Sequence, residues 1–127
     1  GYGLGLSYSS GAFSVGSALQ QFRERDGAGI KHTRTEYGLA ASYDFGPAKL
    51  FSHYMASKHS IPGGAFSKWE HANIGVSVPV SDSLTLMAEY GRNRVKARVY
   101  DDTPPNAYLG QIKGHTNYIQ FGIRHTF

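Results

Sequence analysis

Apolar residues alternate with small or polar ones along most of the chain, and no helical period is sustained. The opening stretch, Gly1 to Ser9, sets Tyr2, Leu4, Leu6 and Tyr8 against Gly3, Gly5, Ser7 and Ser9. The same two-residue period predicts further strands over about Ala12 to Arg23, Lys31 to Phe45, Ala48 to His59, Phe66 to Val80, Leu84 to Val99 and His115 to Phe127. Most strands separate cleanly, with Tyr37, Leu39, Ala41 and Tyr43 opposing Glu36, Gly38, Ala40 and Ser42. The fourth does not, because Leu50 and Tyr54 face Phe51 and Met55 across the pleat; the Leu50/Tyr54 side is taken as the apolar one.

The connections alternate in length. Short turns are expected near Ser10-Gly11, Gly46-Pro47 and Asp82, and longer polar loops near Asp26, Gly63 and, from Tyr100 to Gly114, Pro104-Pro105. Membrane β-barrels have this asymmetry, whereas a soluble meander has no cause to keep it. The polar side is also too polar for a packed core. Arg34, Glu36, Asp44, Glu89, Gln120 and Arg124 would all be buried in a soluble barrel, and unpaired buried charge costs several kcal/mol per ion. A water-filled interior removes that cost and sends the apolar face to lipid. Aromatics near the strand ends, such as Tyr8, Phe13 and Tyr43 at one end and Tyr37, Tyr54 and Tyr90 at the other, suit two interfacial girdles.

Composition narrows the picture further. The 127 residues suffice for one ordinary domain. No apolar run reaches the ~18 residues of a membrane helix, while 16 glycines and 9 tyrosines fit pleated structure better than helices. The net charge of +4 is not gathered into a Lys/Arg run, so nucleic acid is not an expected partner. Cysteine is absent, which removes disulfides and thiolate metal sites.

The terminal stretch Tyr118-Ile119-Gln120-Phe121-Gly122-Ile123-Arg124-His125-Thr126-Phe127 ends on Phe after alternating apolar positions. It resembles the C-terminal targeting strand of outer-membrane barrels. Its ending, with Tyr37 to Gly46, Ala48 to Phe51 and Leu84 to Gly91, is similar to the Gram-negative trimeric porins of the β-proteobacterial and neisserial type. The resemblance covers nearly the whole chain. It implies an all-β fold, an antiparallel transmembrane β-barrel in the outer membrane of a Gram-negative bacterium, with about seven strands here out of sixteen. The chain is then expected to be the C-terminal segment of one barrel domain, 1–127, since an open sheet in lipid would leave two edges unpaired. A homotrimer, contact with outer-membrane lipid, and recognition of Ile119, Phe121, Ile123 and Phe127 by the barrel assembly machinery are implied as well. So is a constriction loop outside this chain.

No catalytic constellation stands out, and no enzyme activity or cofactor is expected. His53, His59 and His71 tempt a metal reading, but polar rim residues are the preferred account. Asp101 and Asp102 read as surface loop. The expected function is a general diffusion porin, a passive channel for small ions and hydrophilic solutes. Its pore-lining residues would be Arg34, Glu36, Asp44, Lys49, Glu89, Gln120 and Arg124, with a mild anion preference from the basic ones. The alternatives are a small eight-stranded outer-membrane barrel acting as adhesin or anchor, which needs an eighth strand within Arg98 to Gly114, and a soluble ligand-binding β-barrel.

Overall fold

A computed structural model describes residues 1–62, 65–100 and 108–127. Seven strands follow one another: β1 (Tyr2–Ser10), β2 (Phe13–Arg25), β3 (Lys31–Asp44), β4 (Lys49–Ser60), β5 (Phe66–Pro79), β6 (Leu84–Tyr100) and β7 (Tyr108–His125). Each pairs antiparallel with the next, giving one sheet in the order β1-β2-β3-β4-β5-β6-β7 with β1 and β7 at its edges.

The register sorts the side chains into two faces, because residues directly opposite in an antiparallel pair share a face. Starting from Tyr8, one cross-strand row runs Tyr8, Val15, Ala41, Ser52, Ile74, Tyr90, Ile119. The next row toward the short turns runs Ser10, Phe13, Tyr43, Leu50, Val76, Ala88, Phe121. Leu50 and Tyr54 therefore belong to the apolar face, and Phe51 and Met55 lie on the polar one. The apolar face is almost wholly uncovered, with Phe121 79 % exposed, and among the described residues Ala56 is the one buried hydrophobic side chain. Such a face needs an apolar solvent, since no layer of protein covers it.

The short connectors are held by the backbone. The Phe45 N–H donates to the Ala48 carbonyl at 2.8 Å, and that of Val80 to Leu84 at 2.8 Å. Gly11 and Gly46 sit at φ 57° and 92°, where a side chain would be strained.

The last strand begins earlier than the sequence suggests. Gln111, Ile112, Lys113 and Gly114 pair with Arg98, Ala97, Lys96 and Val95, so most of the expected loop from Tyr100 to Gly114 lengthens β6 and β7. Glycines and a lysine argue weakly for a strand, and partner residues on β6 override them. Among the described residues between Arg98 and Gly114 there is no eighth strand, only the ends of β6 and β7. The register shifts between Val99 and Tyr100, near the end of the pair. Residues 101–107, where a surface loop with Asp101 and Asp102 is expected, and Gly63 and Gly64 lie outside the described residues. The last strand also stops at His125, short of the expected Phe127. Beyond it Thr126 N–H donates to the Ser83 carbonyl at 2.8 Å, and the Phe127 ring meets His125 edge-on at 4.5 Å.

Candidate functional site

The seven charged or amide residues expected to line a channel share one face of the sheet, opposite the apolar one. They fall into separate groups along it. Near the β2–β3 loop, Arg34 is ion-paired to Glu36, which also accepts from Gln20 Nε2 at 2.7 Å. At the other end of β3, Asp44 stands opposite Lys49, but its Oδ1 accepts the Gly46 N–H at 2.8 Å, so this carboxylate also fixes the short turn. Glu89 and Gln120 stand opposite each other in mid-sheet. Arg124 faces Thr85 on β6.

Lys49 and Arg124, from strands far apart in order, line one hollow of about 580 Å³ together with His53, Ser9, Ser14 and Ser77. No carboxylate lines it. Small residues leave this space open: Ser7, Gly16, Ala40 and Ser42 place almost no bulk over the wall.

A network centred on β5 escaped the sequence reading. Asn73, only 6 % exposed, donates from Nδ2 to Glu89 Oε2 at 3.1 Å and accepts the His53 backbone N–H on Oδ1 at 3.0 Å. Tyr118 donates to Glu89 Oε1 at 3.1 Å and lies 3.3 Å from His71 Nε2. His71 Nδ1 is 2.7 Å from Asn93 Oδ1. The His71 ring stacks between Trp69 and Tyr118, at centroid distances of 5.8 Å and 5.9 Å. This arrangement gives both the oxygen and the nitrogen of a buried amide a partner, which stiffens the wall. Two glycines make room for rings on this face, Gly91 for the Tyr118 of the network. A Cβ at Gly91 would strike the Tyr118 ring, and one at Gly75 the Phe51 ring, so each aromatic lies flat over a cross-strand glycine. Alternation alone placed these residues on the polar face, but only the register shows which glycine each ring covers.

The histidines divide. His53 lies 4.9 Å from His71, while His59 stacks on His32 at 5.4 Å. Among the described residues no three His, Asp or Glu side chains converge as a metal site would require.

The geometry is therefore a sheet with one lipid-suited face and one hydrated face carrying ions, amides and small side chains. The whole chain, residues 1–127, matches the family model described as Gram-negative porin. The chain belongs to the Gram-negative porin family. The curated proteins hold no match to it, and neither do the solved structures. Membership fixes the meaning of the two faces. This porin sheet is transmembrane β-barrel wall in the outer membrane, its apolar face toward lipid. The family is one of channels rather than enzymes.

Proposed function

We propose that the chain supplies the last strands of a sixteen-stranded, trimeric general diffusion porin, a passive water-filled channel for small hydrophilic solutes and ions with a mild anion preference. The supporting observation is the acid-free hollow on the polar face bounded by Lys49, Arg124 and His53. Arg34 adds little to an anion preference, because Glu36 neutralises it in place. Cationic groups on a low-dielectric wall raise the local anion concentration. Arg34, Glu36, Asp44, Lys49, Glu89, Gln120 and Arg124 line the water path in this reading. Strands β1 and β7 pair with further strands of the barrel, since unpaired edge groups in hydrocarbon cost several kcal/mol each. Ile119, Phe121, Ile123 and Phe127 form the signal read by the assembly machinery.

Planar-bilayer recordings in a KCl gradient test the proposal. The complete porin is expected to give stepwise currents with a reversal potential on the chloride side, moved toward the potassium side by Lys49→Gln with Arg124→Gln. A cation-side reversal in the unaltered porin would refute the anion preference. Steady currents from the 127-residue chain by itself would refute the shared barrel.

A further inference from the structure

The apolar face changes character toward the loop end. The register sets Lys58, Lys68, Lys96 and Lys113 directly opposite one another on β4, β5, β6 and β7, in one unbroken cross-strand row. Neighbouring strands are about 4.8 Å apart, and like charges directly opposite across a sheet repel. Lys68 has a carboxylate partner, Glu70, at 3.1 Å. Among the described residues Lys58, Lys96 and Lys113 have none.

The row stands at a definite height. Counted along the strands from the short connectors, the lysines lie about ten to thirteen residues out, where a spanning strand needs about 9–11. They therefore sit at the level of the lipid headgroups on the loop side, directly continuous with the apolar band below. Phe66 lies at the same level, with Lys58 Nζ 5.6 Å and the Arg98 guanidinium 5.4 Å from its ring centre. An aromatic ring flanked by cations is suited to a membrane interface. Slightly lower, Tyr54, Glu70, Ala72, Arg92 and Arg94 line a hollow of about 260 Å³, and Arg92 Nε, a buried donor, has no partner. The channel face behind the row is uncharged: Ser57, Trp69, Val95 and Gly114 occupy the alternating positions. The cations stand on the face opposite the channel.

We infer that the Lys58–Lys68–Lys96–Lys113 row is a binding strip for the phosphate groups of lipid headgroups in the outer leaflet. Phosphate is the complement because it is anionic, accepts several hydrogen bonds, and is tethered at this height by the acyl chains that cover the apolar face. A lipid docked there neutralises a row that its own sheet leaves repelling itself. The inference rests on the assignment of the apolar face to lipid.

The test uses the complete porin in phosphatidylcholine vesicles with spin-labelled phosphatidic acid, whose phosphate monoester is the probe. Motionally restricted label measures association. The unaltered porin is expected to select phosphatidic acid over phosphatidylcholine, and the fourfold Lys→Gln variant to lose at least about tenfold of that preference at low salt, given roughly fivefold per interfacial cation. The fourfold Lys→Arg variant should keep it. Should the Lys→Gln variant misfold, Lys96→Gln alone and a KCl titration of the unaltered porin give the same reading, the preference fading as salt rises. Equal selection by porin and variant, with bilayer currents intact in both, would overturn the strip and leave the porin standing. Displacement of the label by inorganic phosphate at matched concentration would also overturn it, as would loss of the oligomer with unchanged lipid selection. Absence of currents from the unaltered porin would count against the porin assignment itself.

Discussion

Within one strand, β6, two adjacent surfaces follow different rules. On the outer face Leu86, Ala88 and Tyr90 give way to Arg92, Arg94, Lys96 and Arg98, and among the described residues none of these cations makes an ion pair. On the channel face Glu89, Gly91 and Asn93 are drawn into one network with His71, Asn73 and Tyr118. The outer face is written for a solvent that changes with height, first hydrocarbon and then charged headgroups. The inner face is written for water throughout, so its polar groups are free to bond to each other. The contrast teaches that charge in this chain is distributed by environment rather than by function: most of the positive charge on the last four strands points away from the pore.

A charge placed in the wrong solvent should break this comparison most sharply. Ile74→Arg puts a guanidinium into the apolar band and is expected to cost about 2–4 kcal/mol if it lies at the bilayer midplane. Ser14→Arg, on the channel face, should cost much less. Urea titration of the complete porin folded in vesicles compares the two, and equal losses would mean the faces are misassigned.

The glycine positions test the inner face next. Gly75→Ala meets both the Phe51 ring and the Ala88 carbonyl, the latter 2.9 Å from the new Cβ, so the backbone itself must shift. A destabilisation of about 1–3 kcal/mol is expected, as for overpacking elsewhere. At Gly91 the three nearest atoms all belong to the Tyr118 side chain, which can turn away. Gly91→Ala should therefore be costly alone and nearly neutral in a Tyr118→Ser background. A double-mutant cycle reads this directly, and additive losses would show that the ring does not rest on the glycine.

The strands were legible in the sequence because a period of two survives wherever the two faces meet different solvents. Leu4, Leu6 and Leu39 announce themselves that way. The signal failed where the faces converge. Phe51 and Met55 blurred β4, since the wall uses them to cover Gly75 and the space over Gly38. It failed again at Gly110 to Gly114, where β7 owes its start to pairing with β6 rather than to its own residues. The site was half legible. Alternation put Arg34, Glu36, Lys49 and Arg124 on one face, but the joining of Lys49 and Arg124 around one hollow depends on the register of four strands. The lysine row is invisible for the same reason: Lys58 and Lys113 are far apart in the chain and share a line only through two intervening strands.

An ion pair on the channel face should matter less to stability than its geometry suggests. Arg34 is well exposed, at 58 %, so water screens its attraction to Glu36. Replacing both by Gln is expected to change stability by no more than about 1 kcal/mol. Urea titration checks this, and a larger loss would indicate that the pair, with Gln20, braces β2 against β3.

The smallest expected effect lies outside the spanning strands, in the loop between β2 and β3. Asp26 Oδ1 accepts the backbone N–H groups of Ala28 and Ile30, each at 2.9 Å, and its Oδ2 lies 3.2 Å from His32 Nε2. The hydrogen bond from His32, then that from Ile30, holds the carboxyl below its ordinary range. A carboxylate favoured by the fold contributes order that is complete above its unfolded pKa and is lost as pH falls through the lowered folded value. The loop should accordingly stay closed at neutral pH and loosen only in strong acid. Hydrogen exchange at the Ala28 and Ile30 amides, normalised to the intrinsic rate at each pH, should show protection falling there and nowhere on the strands. Asp26→Asn keeps one acceptor oxygen but loses the charge, so its loop protection should be weaker at neutral pH and nearly independent of acid. If the variant instead followed the same acid profile as the unaltered loop, the titrating group would be another residue and the Asp26 hydrogen bonds would be a consequence of the loop's shape.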